Sequence, residues 1–265
     1  MTVHDGYAID LLVQGFPGKT VCHGGLGWST VALVRGHDRV MLVDAGAFNM
    51  RRLIVAQLAE RGLAPADVTD VVLTHAHYDH AINWVMFPAA RVLIGEAELA
   101  WAAAQPLGHL LVPEFYIYEL AKSPQLVAVK NGDEIAPAMV AHVAPGHTPG
   151  HLVVHLSARD RDVIFTGDAA KNRAELLCIE ADMSMDAAAS RRAIEQIWAL
   201  WRRRPGTLLV PGHDIPMLLR DGQPSYIAGR RAGITAQFGE TLEETTLFEL
   251  SLPDDPPERR VVHGR

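Results

Sequence analysis

Six consecutive residues, His75-Ala76-His77-Tyr78-Asp79-His80, hold three imidazoles and a carboxylate. Nitrogen and carboxylate-oxygen donors at that density suit a divalent metal such as zinc, iron or manganese. Three more short motifs offer the same donor types: Pro145-Gly146-His147-Thr148-Pro149-Gly150-His151, Thr166-Gly167-Asp168 and Pro211-Gly212-His213-Asp214. A lone histidine in a loop is ordinarily a packing or surface residue. The recurrence of such motifs in one chain is what points to metal chemistry. His151, at the end of the second motif, and His155 lie after its loop at even spacing and read as structural residues rather than ligands.

These donors act together only if the backbone brings them to one point. Each motif follows a short apolar run of strand character: 70–74 (DVVLT), 139–144 (MVAHVA), 162–166 (DVIFT) and 207–210 (TLLV). Alternation along extended chain sends His75 and His77 to the same side, and a turn after Tyr78 brings Asp79 and His80 around the same point. Glycine and proline force a tight loop at His147. If the strand ends share one edge, His75, His77, Asp79, His80, His147, Asp168 and His213 converge. That set is the right size for two metals sharing one carboxylate.

The rest of the chain alternates between strand and helix patterns. Strands are expected at 9–15, 29–35, 39–43, 91–94, 126–129 and 152–157. Asn49 is placed to cap a helix over 50–61, with Leu53, Ile54, Leu58 and Leu63 as its apolar stripe and Gly62 as its stop. An amphipathic helix over 186–203 repeats Ile194, Ile197, Trp198 and Trp201 at helical spacing. Residues 95–125, broken by Pro106, Gly108 and Pro113, read as a helical, lid-like insertion. This order predicts an α+β chain, an α/β sandwich rather than a doubly wound nucleotide-binding sheet. One domain is expected over 1–252, followed by a proline-rich, charged, mobile tail at 253–265.

With 265 residues, 49% of them hydrophobic, the chain can bury a large single core. Its 31 acidic and 24 basic residues give a net charge of −7, which exerts no general pull on nucleic acid. Cys22 and Cys178 form no CxxC pair, as fits a reducing compartment. The opening MTVHDGYAIDLLVQGF lacks the pattern of a signal peptide, and no apolar run approaches the ~20 residues of a membrane span. A cytoplasmic protein without membrane partners is the expectation.

The motifs over residues 75–213 resemble the metallo-β-lactamase superfamily, and Asp44 in Leu42-Val43-Asp44-Ala45-Gly46 matches that family's early aspartate. The resemblance covers roughly residues 20–215 and implies an αβ/βα sandwich of two packed mixed sheets flanked by helices. It also implies that His75, His77 and His147 bind one metal, that Asp79, His80 and His213 bind another, and that Asp168 bridges them. Asp44 would support these ligands from behind. Two divalent ions, zinc by expectation and iron or manganese as alternatives, would hold a bridging hydroxide that attacks a carbonyl or phosphoryl centre. Asp79 would orient that nucleophile and protonate the leaving group.

Within the superfamily, Asp79-His80-Ala81-Ile82-Asn83-Trp84 and Phe87-Pro88 resemble the lactonase-type branch, N-acyl homoserine lactonases included. That branch typically carries tyrosine three residues after the bridging aspartate, where this chain has Lys171. Lys171 is read either as a group for a substrate carboxylate or developing oxyanion, or as a solvated lysine. The expectation is a hydrolase that opens a small lactone or ester. Thioester or phosphodiester hydrolysis is the alternative, and a non-catalytic metal-binding protein is the reading from a different class. The full ligand set with Asp79 favours an enzyme, because a structural zinc needs only four ligands. Trp84, Phe87, Phe115, Tyr116 and Tyr118, with Met86 and Trp101, are candidates for an apolar wall around a small-molecule substrate. His23 is a candidate for the pocket mouth, and exposed aromatics leave room for a homodimer.

Overall fold

Aliphatic runs build two seven-stranded sheets in a computed structural model that describes residues 2–3, 6–20 and 24–251. Cys22, His23 and the tail at 253–265 lie outside the described residues. The first sheet contains β1 (Thr2–Val3), β2 (Tyr7–Val13), β3 (Val31–Gly36), β4 (Arg39–Val43), β5 (Asp70–Val72), β6 (Arg91–Gly95) and β7 (Leu126–Val129) in chain order. Pairing is antiparallel as far as β4 and parallel from there to β7. The second sheet contains β8 (Glu134–Ala136), β9 (Met139–Val143), β10 (Leu152–Ser157), β11 (Asp162–Gly167), β12 (Leu208–Pro211), β13 (Met217–Arg220) and β14 (Gln223–Tyr226). Only β11 and β12 pair in parallel there, so both sheets are mixed.

The sheets pack face to face. Ile9, Val34, Met41, Val72 and Leu93 of the first meet Met139, Val154, Leu156, Phe165 and Val210 of the second in one buried layer. Helices cover the outer faces: α1 (Arg51–Ala59), α2 (Tyr78–Ala81), α3 (Glu96–Ala103), α4 (Glu114–Lys122), α5 (Arg173–Cys178) and α6 (Ala187–Arg202). Ile54, Leu58, Ala102, Ile117 and Leu120 of α1, α3 and α4 pack on Leu42, Val71 and Ile94. On the other side, Ile194, Ile197, Trp198 and Trp201 of α6 pack on Val153, Ile164 and Leu209. A strand covered on both faces reads as a largely apolar run, and β11, buried at every position, is apolar from Val163 to Phe165. The chain therefore forms the αβ/βα sandwich of two packed mixed sheets flanked by helices that the resemblance implies.

Three local expectations are corrected. Asn49 does not cap α1: a 3₁₀ turn over Phe48–Met50 leads in, and no side chain caps the helix. Leu53 also leaves the apolar stripe and is exposed, while Gly62 takes the left-handed conformation expected of a helix stop. Residues 95–125 are not a separate lid, since α3 and α4 belong to the outer helical layer. Trp101 of α3 and Leu111 of the following connection reach the edge where the donors meet. Sequence reading also passed over α5, the β13–β14 hairpin and a hairpin of Gly233–Ala236 with Thr246–Glu249. Among the described residues, no helix is long and apolar enough to cross a membrane.

Candidate metal centre

The parallel pairs β4–β5 and β11–β12 end at the same edge of the sandwich, as does β9. Asp44, the 75–80 stretch, His147, Asp168 and His213 all emerge there. His77 ends the extended chain, and Tyr78 starts the single turn of α2 that carries Asp79 and His80. Gly146, at φ +142, makes the sharp bend before His147; a Cβ there would lie 2.3 Å from the Ser190 amide nitrogen at the start of α6.

The expected donors form two trios. His75, His77 and His147 each present one ligand atom within 4.8 Å of the others, and so do Asp79, His80 and His213. In the first trio, Nδ1 of His77 faces Nε2 of His147 at 3.0 Å. In the second, Nε2 of His80 faces Nε2 of His213 at 3.2 Å, with Oδ2 of Asp79 at 3.6 and 3.4 Å from them. Asp168 spans both trios. Its Oδ1 lies 3.3 Å from both His80 and His213, and its Oδ2 lies 3.4 Å from His147.

This arrangement fits cations. Nε2 of His75 is buried without a hydrogen-bond partner, and a buried polar atom left unpaired needs an explanation. Facing imidazole nitrogens can share at most one proton per pair, whereas a metal accepts every lone pair in the set. Burial, aided by the neighbouring imidazoles, holds His75 well below the ordinary histidine range; burial does the same for His147 and brings His77 to about 4. All three are therefore neutral, the form that ligates metal. Burial acts the same way on His80 and His213, but the surrounding carboxylates, Asp168 foremost with Asp79 and, for His80, Asp44, together outweigh it and push both upward. Those two imidazoles in turn hold Asp168 well below the carboxylate range despite its burial.

Behind the donors lies a layer of buried hydrogen bonds. Asp44 accepts from the amide and hydroxyl of Thr74 at 2.8 and 2.9 Å, and its Oδ2 lies 2.8 Å from Nδ1 of His80. His151 is structural, as read, and its Nε2 accepts from the Asp168 amide at 3.0 Å. Two supporting residues were missed. Asp214 accepts from Ile215 N, Arg173 N, the Tyr226 hydroxyl and Arg230 Nη2. Glu98, fully buried, accepts from Ala76 N and Gly150 N. Asp214 was visible as the neighbour of His213, but nothing local in the sequence pointed to Arg230 or Glu98.

Other expectations require correction. Lys171 is not a solvated lysine: its Nζ is held by Glu175 Oε1 at 2.9 Å and donates to the Asp182 carbonyl at 2.6 Å, which together take two of its three N–H groups. Its backbone carbonyl instead accepts from His213 N at 2.8 Å, which helps hold that ligand. Trp84 and Phe87 are buried in the layer beneath α4, so they form core rather than pocket wall. The indole of Trp84 donates to the Tyr116 carbonyl and the Tyr118 hydroxyl to the Gln105 carbonyl, both within the helical layer. Phe115 is exposed. Trp101 is the aromatic beside the donors, with its ring centroid 6.2 Å from that of His77.

Comparison with known proteins agrees with this geometry. The family model described as the metallo-beta-lactamase superfamily matches residues 24–213. Metallo-beta-lactamase domain-containing protein 1 of Homo sapiens is 28% identical over 209 residues, covering 77% of this chain and 70% of the human protein. A Mycobacterium tuberculosis protein named as a probable metallo-hydrolase is 29% identical over 55% of this chain, which spans 58% of that protein's length. Among solved structures, an N-acyl homoserine lactone hydrolase with N-hexanoyl-L-homoserine at its catalytic metal centre superposes with TM-score 0.63 at 19% identity, covering 81% of this chain and 95% of the other. A dizinc quorum-quenching lactonase superposes with TM-score 0.64 at 17% identity, over 84% and 91% of the two chains. At these identities the structural likeness shows the shared fold.

Proposed function

The chain belongs to the metallo-β-lactamase superfamily as a metallo-hydrolase, and from that premise we propose that it opens small lactones or esters at a two-metal centre. One observation carries the reading: Asp168 turns one carboxylate oxygen toward each of two complete trios of donors. A structural site would need one set of four ligands. Zinc is proposed as the native metal on the strength of the imidazole-rich donor set, with iron and manganese as alternatives. When bound, the ions would supply Lewis acidity and a water acidified to near neutrality.

The chain's own contribution is positional and protic. His75, His77 and His147 would hold one ion, Asp79, His80 and His213 the other, and Asp168 would join them. Asp79 is the most exposed carboxylate of the set, with a side chain 17% accessible against 6% for Asp168. It can therefore reach the substrate side, orient the attacking water and pass a proton to the departing alkoxide. Ser29 donates through its hydroxyl to the Asp79 carbonyl and fixes the turn that presents it. Exposed Leu107 and Leu110 lie in the 104–113 connection, where Leu111 accepts from the Tyr78 amide. Met185 is exposed beside His147, whose carbonyl its amide approaches. These apolar groups around the mouth favour a substrate with an apolar substituent. The likeness to lactone-hydrolysing structures points the same way.

The test is acid release from metal-loaded protein, followed with a pH indicator across lactones of graded chain length beside thioester and phosphodiester controls. Lactone turnover that a chelator abolishes is the expected result. Cleavage of a thioester or phosphodiester instead, with lactones inert, would retain the metal centre and replace the substrate class.

A further inference from the structure

Glu98 lies in the first turn of α3, outside every motif that supplies a ligand, yet it is fully buried. Its Oε1 accepts from the amide of Ala76 at 2.9 Å and its Oε2 from the amide of Gly150 at 3.0 Å. Ala76 stands between the ligands His75 and His77. Gly150 ends the loop that carries His147, one residue before the histidine that holds the Asp168 amide. A single carboxylate thus fastens together the two loops that supply the first trio. Those loops come from different sheets. The backbone joins them at their base, where Leu152 N donates to the Thr74 carbonyl at 2.8 Å, and the Glu98 carboxylate joins them beyond that point.

The packing around it is tight. A Cβ on Gly150 would fall 2.0 Å from the backbone nitrogen of Glu98, and one on Gly95 would fall 2.4 Å from the Gly150 carbonyl. The glycines let the loop press against the start of α3 at the place where the carboxylate reaches both amides. Among the described residues, no ion pair is formed by Glu98. A buried carboxylate without a counter-charge is unfavourable in itself, and an apolar residue would pack there more readily. What the carboxylate uniquely provides is two acceptors in a fixed fork.

We propose that Glu98 is a positioning residue that sets the separation of the 75–77 and 146–150 loops, and thereby the affinity of the first trio for its metal. The inference rests on the metal-dependent reading of the site and extends it to a residue that touches neither donor nor substrate. Gln is the informative replacement. It keeps the shape but turns one acceptor into a donor that would face a backbone amide.

Zinc affinity, measured by equilibrium competition with a chromogenic chelator on the folded full-length chain, tests this. Glu98→Gln is compared in two backgrounds: His213→Ala, which leaves only the first trio complete, and His147→Ala, which leaves only the second. The expected result is a 10- to 100-fold loss in the His213→Ala background and no change in the His147→Ala background. Equal losses in both, or none in either, would overturn the proposal. If Glu98→Gln does not fold, Glu98→Asp provides the second variant, since it keeps the charge but shortens the fork by one methylene, so that the carboxylate no longer reaches both amides. It should produce the same selective loss, and unchanged affinity would again overturn the proposal. The readout is metal alone, so a substrate panel in which lactones are inert leaves this result standing.

Discussion

Nδ1 of His80 lies 2.8 Å from Oδ2 of Asp44, a carboxylate that also takes the amide and hydroxyl of Thr74. Asp44 follows β4 in a left-handed conformation, φ +60, which aspartate tolerates better than most residues. The pair fixes the His80 ring so that Nε2 points toward His213 and Asp168. Thr74 Oγ1 also lies 3.1 Å from Nδ1 of His75, so the same carboxylate steadies a ligand in each trio. Asp44→Asn should keep the backbone conformation and lose the charge facing His80. Metal affinity is expected to fall about 10- to 100-fold, as is usual when a partner behind a ligating histidine is lost. Metal content after dialysis against buffered zinc checks it, and unchanged content would remove Asp44 from the supporting layer.

Asp79→Asn separates metal binding from proton transfer. Asparagine can still offer a carbonyl oxygen to the second trio, but it cannot carry a proton to a leaving group. With metal supplied in excess, turnover of any lactone that the wild type cleaves should drop at least about 100-fold, within the range found for general acid–base groups. Metal stoichiometry should stay closer to wild type than activity does. A variant with full metal and full turnover would assign the proton to another group.

Ligand residues were legible in the sequence because chemistry and periodicity coincide at them. His75, His77 and Asp168 each follow an apolar strand whose alternation and terminus could be read directly, and glycine and proline marked the loop at His147. Trp84 and Phe87 were misassigned because aromatic side chains near a motif look the same whether they face a pocket or a core. The packing of α4 over them decides it, and that contact joins segments about 30 residues apart. Lys171 was open for the same reason, since its partner Glu175 lies one helical turn on, in a helix too short to give a pattern. Glu98 and Arg230 act across 22 and 16 residues or more, beyond any local signal.

Burial pushes the Glu98 carboxyl from 4.5 up to about 7, against the pull of the amides it accepts from. The folded state therefore holds this proton more tightly than the unfolded chain does. The resulting stabilisation is fully present below pH 4.5 and is lost as pH rises through about 7. The full change is on the order of 3 kcal/mol. Glu98→Gln does not titrate, so the stability advantage of wild type over the variant should shrink by about that amount between these pH values. Urea unfolding of both proteins at matched metal loading would show it. A constant difference across the range would mean that Glu98 is ionised throughout.

Asp214 and Arg230 form a buried pair at 2.6 Å, with side chains only 2% and 8% accessible. Asp214 directly follows the ligand His213. Arg230 also donates to the Gly15 carbonyl, and a Cβ on Gly15 would lie 2.7 Å from the His213 Cα. The pair therefore braces the backbone that carries His213 from two directions. Breaking a buried pair from one side leaves an uncompensated charge, at a cost of about 3–5 kcal/mol. Arg230→Met should fall at the lower end, because Ile215 N, Arg173 N and the Tyr226 hydroxyl still donate to Asp214. Adding Asp214→Asn to Arg230→Met removes the stranded charge and should recover part of the loss, about 1 kcal/mol. Chemical denaturation of the wild type, the two single variants and the double variant gives the coupling between the residues. If the brace matters to the site, Arg230→Met should also release the metal of the second trio before that of the first as chelator is raised. Loss of stability without that order of release would confine the pair to folding.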